Sequence, residues 1–140
     1  MCSSDLIPLT HRDVCHGAIL ITGHAGEDAK TTPNWPALVA TGLPLVIYMG
    51  VARCESIQQD LLLACMLPSM PVAVIKNASR ADQQSVLTIL GAMAVDLRAA
   101  RIGSPAIIVV GETVRYARQA IAADTEPTLA AMEKSHAAMA

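Results

Sequence analysis

Short, β-branched apolar runs bounded by Gly or Pro recur along the chain at residues 18–22, 45–49, 72–75 and 106–110. They read as buried, parallel-type strands. Between them the period changes. Ile57, Leu61 and Cys65 fall four apart while Glu55, Gln58, Gln59 and Asp60 take the other face, which predicts a helix over 54–66. Met93, Leu97 and Ala100, set against Asp96 and Arg98, predict a second helix over 90–101, and a third follows the last strand over 114–123. Residues 84–89 either add an edge strand or extend the helix behind them. Residues 25–36 contain Gly26, Thr31, Thr32, Pro33 and Pro36 without a period, and read as a surface loop pinned by Trp35. The Ala-rich stretch 124–140 is either a loosely held helix or a frayed tail. Strands alternating with helices indicate an α/β domain.

Composition narrows the picture. A chain of 140 residues suits one domain with one core. Apolar residues reach 53% while Phe is absent, so Ala, Val, Ile, Leu and Met must fill the interior, and Trp35, Tyr48 and Tyr116 are the only large rings. A formal net charge of -2 removes the broad basic field that non-specific nucleic-acid binding needs. No apolar run is long enough to cross a bilayer, and no basic region followed by an apolar stretch opens the chain, so a cytoplasmic protein with no membrane partner is expected. Cys2, Cys15, Cys54 and Cys65 form no CxxC pair and read as reduced thiols. His11, Cys15, His16 and His24 do not match the spacing of a closed metal set, so no metal is expected. No Ser/His/Asp triad, Walker loop or GxGxxG is present.

Five blocks, in order, carry a resemblance. They are Pro8-Leu9-Thr10-His11-Arg12, Thr22-Gly23-His24, Ile47-Tyr48-Met49-Gly50, the run from Pro71 through Lys76-Asn77-Ala78-Ser79, and the run from Ser104-Pro105-Ala106 to Gly111-Glu112. Each alone is weak, but five in sequence at strand ends resemble the second half of the uroporphyrinogen-III methyltransferases, within the tetrapyrrole methylase family. The resemblance implies a mixed sheet of about four to five strands flanked by helices, the second domain of a two-domain fold. It implies S-adenosylmethionine as methyl donor, held in the cleft between domains, usually in a homodimer. Uroporphyrinogen III would be methylated twice to precorrin-2, towards sirohaem or cobalamin. On this reading residues 1–6 are a polar stub, 7–123 the C-terminal domain and 124–140 the tail. The N-terminal domain, with the glycine-rich loop and the acid/base residues, would be a missing partner, so no catalytic residue is assigned and the isolated chain is expected to be inactive.

Tyr48-Met49-Gly50 follows a buried strand, at the carboxyl edge where α/β folds usually hold ligands. By resemblance Met49 contacts the cofactor, and Gly50 would let the chain turn closely beneath it. At the next block the sequence departs from the family's Glu-Asn-Gly-Thr: Lys76 replaces the acid, Ala78 the glycine beside the cofactor and Ser79 the threonine. If that glycine needs a positive φ, Ala78 costs about 1 kcal/mol. By resemblance the start of the last strand lines the adenine pocket, where Ala106 would offer backbone groups and little bulk. By resemblance Thr10, His11, Arg12 and His24 lie nearest the tetrapyrrole, whose eight carboxylates call for guanidinium or imidazole donors. Alternatives are another tetrapyrrole methylase acting on a later precorrin or a non-porphyrin substrate, and a non-catalytic dimerisation or complementing fragment.

Overall fold

The computed structural model describes residues 10, 12–23 and 32–117. Five strands form one sheet: β1 (Ile19–Thr22), β2 (Leu45–Tyr48), β3 (Pro71–Lys76), β4 (Gln84–Ile89) and β5 (Ala106–Val110), in the spatial order β1-β2-β5-β3-β4. Three helices accompany them: α1 (Trp35–Ala40), α2 (Cys54–Leu63) and α3 (Met93–Ala99). Residues 84–89 are thus a strand, and it occupies the edge.

Strand direction differs from the parallel-type expectation. β1 and β2 run parallel, but β5 lies antiparallel between β2 and β3, and β4 is antiparallel to β3. Apolar runs report burial on both faces and not direction. Residues 77–83 simply reverse the chain between β3 and β4, while β5 returns against both of its neighbours.

Alternation along the central strands splits the apolar side chains between two faces. Leu45, Ile47, Val72, Val74, Ile108 and Val110 meet Ile57 and Leu61 of α2 and Met93 and Leu97 of α3 in the main core. On the opposite face Ala73 and Val109 pack with Val114, Leu87 and Ile107. Val114 begins a helical segment at residues 114–117, and the remainder of the third expected helix lies outside the described residues. So do residues 1–9, 24–31 and 124–140.

Two helices stop earlier than their period suggests, for one reason. Cys65 and Arg101 adopt φ of 69° and 54°. The N–H groups of Met66 and Ile102, just beyond them, donate back to the carbonyls of Leu61 and Leu97, both at 3.1 Å. This is the closure in which a left-handed residue ends a helix and the residue after it packs inward. Met66 and Ile102 are accordingly buried, while Cys65 and Ala100, expected on the apolar faces, are exposed. Trp35 and Pro36, expected in a loop, open α1 instead. The Asn34 side chain accepts from the Ala37 N–H at 3.2 Å, and proline suits the first turn because its missing donor is not needed there.

Candidate functional site

Because β2 and β3 point the same way and β5 opposes both, the carboxyl ends of β2 and β3 and the start of β5 fall at one edge of the sheet. Tyr48 pairs with Ile107, and Ile107 with Ile75, so one row across three strands spans about 10 Å. Above this row opens a cavity of about 430 Å³. Tyr48 and Met49 line it from β2, and Ser104, Pro105, Ala106 and Ile107 from β5. Ile75, Asn77, Ala78 and Arg80 close the side formed by β3 and its following turn.

Of the residues singled out for cofactor contact, Tyr48, Met49, Ala78 and Ala106 therefore come together in one hollow. Met49 is 62% exposed and has φ of 54°, so the chain turns sharply as it leaves β2. Gly50 is buried and absent from the lining. A Cβ there would come within 2.9 Å of Ile47 Cγ2, and a Cβ on Gly23 would come within 2.6 Å of Gly50 Cα. Gly50 thus lets the ends of β1 and β2 close on each other, a contact also marked by the Gly23 N–H donating to the Tyr48 carbonyl at 2.6 Å.

The turn after β3 is braced from within. Asn77 and Ser79 carry φ of 53° and 65°, whereas Ala78 between them does not take a positive φ. The cost anticipated for Ala78 does not arise; the left-handed positions fall on its neighbours, and asparagine tolerates such a position well. The Asn77 amide donates to Asp82 Oδ2 at 2.9 Å, the Ser79 N–H to Gln83 Oε1 at 2.8 Å and the Asn77 N–H to the Pro105 carbonyl at 3.3 Å. That last bond ties the β3 and β5 sides of the cavity together. Lys76, the replaced acid, sits between Ile75 and Asn77 on the strand and does not line the cavity.

Arg80 was not singled out from the sequence, yet among the described residues it is the only formally charged one in the lining. The available signal was a guanidinium two positions beyond Ala78 on the same short turn. Thr10 and Arg12 are exposed on the segment leading into β1 and are not in the lining. His11 and His24 lie outside the described residues.

A second hollow of about 400 Å³ lies between the start of α2 and α3, where Arg98 bridges to Glu55. Cys54 in its wall is a thiol pushed above its ordinary range by burial, partly offset by a backbone hydrogen bond and the Arg98 charge. Among the described residues no group of three or more His, Cys, Asp or Glu is placed to hold a metal ion. No helix of the described residues is long and apolar enough to cross a membrane.

Comparisons with known proteins show what the chain as a whole is similar to. A profile of the Tetrapyrrole (Corrin/Porphyrin) Methylases matches residues 1–94. A uroporphyrinogen-III C-methyltransferase of Pseudomonas fluorescens is 44% identical over 105 residues, which cover 75% of this chain and 42% of the relative. Siroheme synthase 2 of Aeromonas hydrophila is 46% identical over 108 residues, covering 77% and 22%. The crystal structure of uroporphyrin-III C-methyl transferase from Thermus thermophilus complexed with S-adenyl homocysteine superposes with a TM-score of 0.67 at 29% identity, covering 78% of this chain and 48% of that one. The chain spans less than half the length of each of these proteins.

Proposed function

The chain belongs to the tetrapyrrole (corrin/porphyrin) methylase family, and from that premise we propose that it builds one wall of an S-adenosylmethionine pocket in a uroporphyrinogen-III C-methyltransferase. The observation that carries this reading is the convergence of Met49 just after β2, Ala78 in the turn after β3 and Ala106 at the start of β5 on a single cavity.

The cavity suits the adenosine part of that cofactor. Its volume of about 430 Å³ lies in the usual range for small-molecule sites, and Met49, Ile75 and Ile107 offer apolar surface to a flat base. The exposed turn at Ala78 brings a backbone N–H and carbonyl that pair with no described residue, as recognition of a base edge requires. When bound, the cofactor supplies an electrophilic methyl on its sulfonium, taken in line by a nucleophilic pyrrole carbon. The chain's own contribution is positional: Met49 packs against the adenosine, the braced turn 77–80 fixes its edge, and the row Tyr48–Ile107–Ile75 forms the floor. Rate gained this way comes from proximity and orientation.

On this reading residues 7–123 are the second of two domains, and Arg12 and Thr10, with His11 and His24, face the tetrapyrrole. The isolated chain is inactive because a partner domain supplies the opposite wall. A homodimer follows from the resemblance, and Cys15, Cys54 and Cys65, none of them in a disulfide, are in keeping with a cytoplasmic location. The test is complementation. The chain is mixed with the separately made N-terminal half of the Pseudomonas fluorescens relative, and methylation of uroporphyrinogen III is followed by the absorbance of the product. Product formation above either half alone is expected; a folded, associated mixture that forms none contradicts the reading.

A further inference from the structure

We propose that Arg80 sets the preference of the strand-end cavity for an acidic ligand by receiving one of its carboxylates, an inference that rests on the methyltransferase reading above. As the only formally charged lining residue among the described residues, Arg80 sets the sign of the local potential there. The surrounding Met49, Ile75, Pro105 and Ile107 are apolar and bring no competing charge to the guanidinium.

Three features prepare the guanidinium for a partner. The turn is held by the Asn77–Asp82 and Ser79–Gln83 bonds, and the Arg80 N–H donates to the Asn77 carbonyl at 3.0 Å, so its backbone is already ordered before a ligand arrives. Asp82 meets the guanidinium only through Nε at 3.5 Å, with the two side chains 71% and 64% exposed, a weak pairing in water. The terminal amino groups meet no acceptor among the described residues and form the planar fork that matches a carboxylate. Asp82 is thus a stand-in that a better-placed carboxylate displaces.

That carboxylate has two sources of one chemistry: the amino-acid end of the cofactor, or an acidic side chain of the tetrapyrrole. The whole 140-residue chain and its R80Q and R80K variants are titrated with three probes. S-adenosylhomocysteine and 5′-methylthioadenosine are followed by amide chemical shifts, and uroporphyrin III by its fluorescence. 5′-Methylthioadenosine has the base, ribose and sulfur but no carboxylate. R80Q is expected to weaken one of the two acids by about tenfold. Loss for S-adenosylhomocysteine assigns the amino-acid carboxylate, and loss for uroporphyrin III assigns the tetrapyrrole. R80K recovers only part of the affinity lost in R80Q, because lysine keeps the charge but not the planar fork, and 5′-methylthioadenosine binding is unchanged. Equal affinity of R80Q and the original chain for both acids overturns the proposal. A parallel loss of 5′-methylthioadenosine also overturns it, since it marks a collapsed turn. If the original chain binds none of the three probes, the methyltransferase reading itself fails and takes this inference with it.

Discussion

Thr113 is fully buried just after β5, and its hydroxyl meets no hydrogen-bond partner among the described residues. A buried donor without a partner costs the desolvation of its hydroxyl with nothing in return. Replacing it with the isosteric Thr113→Val is expected to stabilise the fold by about 1 kcal/mol, read as a rise in the thermal unfolding midpoint. An unchanged or lowered midpoint would mean that the hydroxyl is satisfied after all. Residue chemistry was also where the site was most and least legible. Met49 and Ala106 could be named because the blocks around them resemble those of the methylase family, and both line the cavity. Arg80 could not, because nothing in a charged residue on a polar turn tells which way the turn faces until β3 and β5 are paired. The expected strain at Ala78 was misplaced by one residue on either side, since φ in a tight turn depends on how the whole turn closes.

Among the elements, the strands were legible and the helix ends were not. Pro44, Gly50, Pro71, Pro105 and Gly111 punctuate the apolar runs, and β5 spans the residues expected of it. The helices are closed instead by Cys65, beyond the end of α2, and Arg101, beyond the end of α3, neither of them the glycine that usually marks such a stop. α1, with six residues, is too short to show a period. Packing between helices depends on a contact that no period announces. Gln58 on α2 donates through Nε2 to the Gly91 carbonyl at 3.2 Å and accepts from the Ala94 N–H at 2.9 Å, so it caps the start of α3 from a neighbouring helix. Gln58→Leu is expected to cost about 1–2 kcal/mol in urea unfolding with an unchanged slope, because it leaves that N–H and carbonyl without partners. Gln59→Leu, one position along on the exposed side, serves as the near-neutral comparison. Equal stability of the two variants would remove the cap from the account.

For the molecule as a whole, sheet direction decides whether the site exists. Apolar patterning alone left the strands equivalent; only the insertion of an antiparallel β5 between β2 and β3 brings the start of one strand beside the ends of two others. Met49, Ala78 and Ala106, separated by 29 and 28 residues in sequence, then share one hollow. An open cavity with one wall should hold a ligand weakly, so the decisive measurement is one that maps contact rather than affinity. S-adenosylhomocysteine is added up to millimolar concentration to the isotopically labelled chain, and backbone amide shifts are followed by nuclear magnetic resonance. The account predicts progressive shifts at Tyr48 and Met49, at Asn77 to Arg80 and at Ser104, Ala106 and Ile107, with the second hollow beside Cys54 unmoved. Shifts centred on that second hollow, or none at all at millimolar ligand, would contradict it.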